Sequence, residues 1–177
     1  MLLIVLTIFI KISFAQSFDG YALYSNAGSN NVYLIDKDQN IAKKWVCDRT
    51  ANYTTLLKDN GNIIRGTELS GQVSFSAPTV AGMIQELDAN ADVVWEYTYY
   101  TANKHISHHD ITLMPNGNVL LTAYEVKSSS ELAAAGYQQS GGGGGGQSQE
   151  MWPTHFVEVA QNGTGGQIVW EWHMWDH

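Results

Sequence analysis

One pattern constrains this chain more than any other: a strand, a polar turn and a second strand ending in tryptophan. Val32 to Trp45 (VYLIDKDQNIAKKW), Met83 to Tyr97 (MIQELDANADVVWEY) and His155 to Trp172 (HFVEVAQNGTGGQIVWEW) share that plan. Leu56 to Gly66 (LLKDNGNIIRG) and Thr112 to Thr122 (TLMPNGNVLLT) are pairs of alternating apolar runs joined at Asn-Gly. Alternation with period two marks a strand with one buried face, and Asn-Gly tolerates the positive φ angles of a tight type I′ hairpin turn. The chain therefore reads as a succession of hairpins.

Trp45 and Trp95 stand 50 positions apart, and Gly61 and Gly117 stand 56 apart. A four-stranded unit thus recurs at about the length of a propeller blade. The expected fold is all-β, a β-propeller of four-stranded blades. A β-sandwich is the competing architecture, because short-strand patterning does not by itself fix how sheets are arranged. At ~40–50 residues per blade the chain supplies roughly three blades, whereas closed propellers use about four to eight. The expectation is an incomplete propeller whose open blade edges invite self-association. Tryptophans at matched positions are expected to pack between neighbouring blades rather than to stack on a ligand.

The start of the chain is read as an address. Met1 to Ile10 is almost unbroken apolar sequence, and Ser13 and Ala15 place small residues three back and one back from a cut after Ala15. This pattern predicts a secretory signal peptide over 1–15. The run is shorter than the ~20 apolar residues that span a bilayer, so an uncleaved anchor is the weaker alternative. The expected mature chain, 16–177, is periplasmic or extracellular and has no membrane segment. Among the 177 residues, 9 are Lys or Arg and 17 are Asp or Glu, a net charge of −8. A nucleic-acid partner is not expected, since duplex binding needs a basic stripe to displace counterions. The single cysteine, Cys47, excludes an intramolecular disulfide. Asn52-Tyr53-Thr54 and Asn162-Gly163-Thr164 match the N-glycosylation pattern, which bears only on a eukaryotic secretory route.

Residues 127–150 interrupt the hairpins. Glu131 to Tyr137 suits a short helical turn, but Gly141 to Gly146 offers no side chains to pack and maximal backbone freedom. The segment is expected to be a flexible surface insertion. It is not a phosphate cradle, because no strand runs into the glycines and no Gly-Lys-Ser/Thr follows them.

All six histidines, His105, His108, His109, His155, His173 and His177, lie in the second half of the chain. In KHISHHDITLMPNGN, strand alternation places His109 with Ile111 on one face and His108 with Asp110 on the other. One histidine can then point into a channel while its neighbour orients it or packs. Neutral imidazole moves protons near pH 7, attacks as a nucleophile or binds metal. Metal binding by His105, His108, His109 and Asp110 is the weaker reading, because the group lacks a fixed ligand spacing. His105 and His155 are read as structural. His173, Asp176 and His177 form a second group after the last tryptophan-ended strand, so two histidine groups at corresponding blade positions can converge on one channel.

GMIQELDANADVVWEY, HHDITLMPNGNVLLTAYE, MWPTHFVEV and GGQIVWEWHMWDH together resemble the bacterial arylsulfotransferase family, the secreted arylsulfate sulfotransferases. The resemblance runs nearly the length of 16–177. It implies a six-bladed propeller that moves a sulfuryl group from a phenolic sulfate donor to a phenol acceptor through a sulfated histidine. No nucleotide, metal or other cofactor is implied. His109 matches the family's first channel histidine, with His108 as the competing choice, and His177 matches a family motif of unassigned role. The resemblance assigns no substrate-binding residue here. The family's His-x-Asn and Ser-x-Arg stretches and its nucleophilic histidine have no counterpart in these 177 residues, and Arg49 and Arg65 cannot be equated with the missing arginine. The expectation is a partial sulfotransferase, inactive alone. The alternative is a non-catalytic secreted propeller that binds a ligand or partner, since fold does not fix function. A quinone-cofactor dehydrogenase is a third candidate, weakened by the absence of its repeated docking element.

Overall fold

The computed structural model describes residues 19–69, 73–77, 80–137 and 150–177. The expected signal peptide and the glycine run lie outside the described residues. The protein is all-β, built as three antiparallel meanders in chain order. The first sheet joins β1 (Tyr21–Ser25), β2 (Asn31–Asp36) and β3 (Ile41–Val46). The second joins β4 (Ala51–Leu57), β5 (Ile63–Glu68), β6 (Gly82–Leu87) and β7 (Val93–Thr98). In the third, the short β8 (Tyr100–Thr101) precedes β9 (His105–Leu113), β10 (Val119–Glu125), β11 (Thr154–Asn162) and β12 (Gly165–His173). β1 lies beside β4, and β4 beside β9, the first long strand of the third sheet.

The hairpins fall where the alternation places them, but their turns differ from the expected form. Lys58 and Asn62 close a three-residue loop. The Gly61 N–H donates to Lys58 O at 2.9 Å, and the Lys58 N–H donates to Asn62 O at 2.8 Å. Only Gly61 takes a positive φ, 85°. This is a type I turn with a left-handed third residue, not the two-residue I′ turn. Gly117 repeats it at φ 86°, and Gln39 and Ala91 repeat it without glycine at 67° and 69°. Short polar side chains hold these loops. Asp36 and Asp88 each accept two backbone N–H groups across their own turn.

The core lies between sheets. Val32 and Trp45 of the first sheet, with Cys47 just past its last strand, meet Ile63 and Leu87 of the second. Ile64, Ile84 and Trp95 of the second meet Ile111, Val119, Leu121, Val157 and Val159 of the third. The middle sheet is therefore covered on both faces, which is why β6 is buried at all six positions and β5 at five. The outer strands β3 and β12 keep exposed faces.

Tryptophan tightens each junction. Trp45, 3% exposed, donates its indole N–H to Asp88 O at 3.0 Å, in the turn between β6 and β7. Trp95, 4% exposed, does the same to Gly165 O at 2.7 Å, at the start of β12. Gly166 permits the second junction. A Cβ there would stand 2.6 Å from Tyr97 and from Val159. Trp170, the third matched tryptophan, is 48% exposed beside Ile168 and Val169.

The described start of the 127–150 segment carries regular structure. Lys127 forms an isolated bridge with Met151, and the helix α1 (Ser129–Ala134) begins two residues before the expected one. Ser128 and Glu131 cap it reciprocally.

The three tryptophans are thus expected to differ in energy although they match in sequence. Trp45→Ala and Trp95→Ala should each cost ~3–5 kcal/mol, whereas Trp170→Ala should cost about 1 kcal/mol or less. Urea unfolding midpoints of the three variants check this.

Candidate functional site

A β-bulge builds the histidine pair. β9 and β10 pair Leu121 with Ile111 and then Thr122 with His108, so His109 and Asp110 are extruded from the ladder. The expected alternation fails at that point. His109 and Asp110 are both exposed, while Ile106, Ser107 and His108 are buried in succession. His109 takes φ 52°, the left-handed region that a β-branched residue would avoid. The Thr122 hydroxyl fastens the bulge by donating to His108 O, and it accepts from the Asp110 N–H at 3.4 Å. Asn52 on β4 donates to His109 O at 3.4 Å. Asn52 is buried, which rules out a glycan at the Asn52-Tyr53-Thr54 match in the folded chain.

The two ring Nδ1 atoms of His108 and His109 are 2.7 Å apart, so one donates and the other accepts. His108 is 7% exposed and stacks on Tyr124 at 3.7 Å. Burial, then the neighbouring His109 and His155, push its pKa down to about 4. At neutral pH His108 is an uncharged partner that holds His109 at the surface. Asp110, Thr54 and Thr122 line a hollow of about 420 Å³ next to this pair.

His177 lies elsewhere. It stacks on Trp172 at 5.2 Å and 9°, after the short turn Met174–Asp176, and is exposed. His177 thus packs on the outer strand of the third sheet, β12, through Trp172.

A second cluster gathers at the end of the third sheet. His155 and His173 are cross-strand partners on β11 and β12, and their rings stack at 4.7 Å and 4°. His155 is 1% exposed, and its Nε2 lies 2.8 Å from the Tyr99 hydroxyl. Burial first, then His173, push the His155 pKa down to about 4. Burial, with the Glu171 carboxylate next, raises Tyr99 well above the ordinary phenol value, so Tyr99 stays protonated. Glu125 ends β10, with Lys127 Nζ at 2.9 Å and His173 Nδ1 at 3.3 Å from its Oε2. His105 stacks on Tyr99 at 4.4 Å, and burial lowers its pKa. Tyr99, His105, Glu125, His155, Glu171 and His173 line a cleft of about 640 Å³.

Sequence reasoning did not single out Glu125 or Tyr99. Glu125 pairs with His105 only because the bulge moves the register by two. Tyr99 sits in the link between the second and third sheets. Arg65 is wholly buried in β5, where it donates to Arg49 O, a core position and not a surface cation. Among the described residues no helix is long and apolar enough to cross a membrane. No model of a protein family matches the chain, and no curated protein does.

The depressed histidines set an acid sensitivity. His108 binds a proton near pH 6.5 when unfolded and near pH 4 when folded. Between those values the unfolded chain holds more protons, so stability is full above about pH 6.5 and falls as pH drops toward 4. The slope is of the order of 1 kcal/mol per pH unit for each such histidine. His155 has the same sign. Urea midpoints at pH 7.5, 5.5 and 4.5 should decline, and His108→Gln should flatten the decline.

Proposed function

We propose that the protein is a secreted β-propeller of arylsulfotransferase type, in which the His108–His109 pair meets the sulfuryl group of a phenolic sulfate ester. The pair itself carries the reading: a surface imidazole on a fixed bulge, hydrogen-bonded Nδ1 to Nδ1 with a buried neutral imidazole. In this reading the exposed His109 meets the substrate, and His108 fixes the ring and its tautomer. An N–H donor so placed binds a sulfate oxygen and stabilises charge as the S–O bond to the phenol breaks. The sulfohistidine step belongs to a nucleophile with no counterpart in these residues, so this chain binds the ester without turnover. The export reading rests on the small-residue pattern before Gln16.

The propeller reading is supported by the repeated indole clasp. Trp45 and Trp95 each seat in the next sheet's turn, and Trp170 occupies the matching place with its ring exposed. The Asp36 turn of the first sheet has the same hydrogen bonds as the Asp88 turn that receives Trp45. The Trp170 face is therefore suited to another such sheet, and open edges of this kind favour self-association.

Phenyl sulfate binding to the chain is the deciding measurement. His109→Ala should weaken it at least about tenfold, the effect of losing a charge-assisted hydrogen bond, with circular dichroism unchanged. No binding, or equal binding by the variant, would favour the non-catalytic binding module. Turnover of phenyl sulfate and phenol by residues 16–177 would overturn the assigned inactivity. In sedimentation, Trp170→Glu should reduce association of the wild-type chain.

A further inference from the structure

We propose that Glu125, His155 and His173 bind one divalent transition-metal ion of the zinc class, beside the large cleft and apart from the His108–His109 pair. Each residue brings one ligand atom to within 4.8 Å of the other two. Two imidazoles and a carboxylate are a donor set that suits zinc and its neighbours. Calcium and magnesium are disfavoured, since they require a shell of oxygen ligands.

The unpaired atoms make this more than a cluster. His155 Nδ1 and Glu125 Oε1 are shielded from solvent and have no hydrogen-bond partner. Leaving a buried polar atom without a partner is destabilising, and here two such atoms belong to the same three-residue group. A metal ion satisfies both at once.

The surroundings match what a metal site needs beyond its ligands. The Tyr99 hydroxyl lies 2.8 Å from His155 Nε2, and in the tautomer that binds metal through Nδ1 it accepts a hydrogen bond from the Nε2–H. Lys127 holds Glu125 Oε2 at 2.9 Å and leaves Oε1 free. Such supporting hydrogen bonds orient metal ligands. Lys127 also adds a positive charge near the ion, and the Glu171 carboxylate lining the same cleft offsets it. Three adjacent strands carry the ligands, so their backbone spacing is fixed. Ligands of a tetrahedral ion at ~2.0–2.2 Å lie roughly 3.4 Å apart. No pair must therefore close by more than about 1.4 Å, within the reach of side-chain torsions. The remaining coordination position faces the cleft and is open to water or a ligand.

The test uses the whole chain, purified without a histidine tag and stripped with a chelator. Calorimetric titration with Zn²⁺ should give one ion per chain, and Co²⁺ should give the visible absorption of a four- or five-coordinate N/O site. Glu125→Gln and His173→Gln should each abolish that spectrum and weaken Zn²⁺ binding by more than about 100-fold. Tyr99→Phe removes only the supporting hydroxyl and should weaken binding about 10–100-fold. His108→Gln should leave the stoichiometry unchanged. Absence of stoichiometric binding by the folded wild-type chain would overturn the proposal. So would binding that survives both Glu125→Gln and His173→Gln, or that is lost in His108→Gln with Glu125→Gln unaffected.

Discussion

The indole-to-carbonyl hydrogen bond between sheets is the interaction on which the rest of this structure leans. Among the described residues no extended backbone ladder joins the sheets. The main chain crosses only in short links, Gly28 and Ala51 N–H to Ala51 and Ser29 O, and Ala81 N–H to Ser107 O beside the Val80–His108 bridge, and away from these the pleated surfaces would be free to slide. The Asp88 carbonyl prevents this by accepting twice, from the Ala91 N–H of its own turn at 3.1 Å and from the Trp45 indole at 3.0 Å. Both lone pairs are used, and the turn of one sheet is tied to the last strand of the one before. The same device at Gly165 fixes the third sheet against the second. A middle sheet with two covered faces then has no solvent side for its polar residues. Arg65, Thr67, Gln85 and Glu86 are buried as a result. Glu86 answers with three partners, Lys58, Asn62 and Gln161, the last from the third sheet. Those hydrogen bonds hold its pKa down although burial pushes the other way.

Once the sheets are pinned, the bulge in β9 decides what they display. It adds two residues to one strand of an otherwise regular hairpin, and bulges commonly re-aim side chains in this way. On one side of it Leu113 pairs with Val119. On the other His105 pairs with Glu125, where an unbroken ladder would have put Ser107. The same irregularity thus lifts His109 out of the sheet and brings His105 to Glu125. Thr122 sits at the step and bonds to the backbone of His108 and Asp110, so the strained φ of His109 is fastened at both ends.

The hairpins, the tryptophan periodicity and the inter-sheet place of Trp45 and Trp95 were legible in the sequence. Period-two alternation and turn residues are local signals, and the matched indoles are a repeat. The turn type was not, because Asn-Gly serves both a two-residue loop and a three-residue loop whose glycine alone is left-handed. Gln39 and Ala91 show that this loop forms without glycine. His108 and His109 were legible as a pair but not as to facing, since alternation is the rule a bulge suspends. Glu125 carried no local mark. Its importance arises from a neighbour on β11 some thirty residues away and from a register that only the folded ladder reveals. The third unit reads in sequence as ending at Trp172, and only the fold shows Trp170 in the place of Trp45 and Trp95 with its ring exposed, for exposure depends on what packs against it.

The electrostatics join the two histidine groups. His108 and His155 each resist protonation chiefly because they are buried, and the charge of either would oppose that of the other. At neutral pH the buried His108 and His155 are consequently uncharged imidazoles, with a neutral phenol at Tyr99, in a region edged by Lys104 and Lys127 against Glu125 and Glu171. Such an array offers an anion directed N–H donors and little fixed positive charge, in keeping with a chain that is acidic overall. A cation held by Glu125, His155 and His173 shifts that balance without protonating anything. It keeps both imidazole ligands neutral and replaces two desolvated lone pairs with bonds. It also places positive charge near His108, which makes protonation of His108 still less favourable and so strengthens its role as the neutral partner of His109.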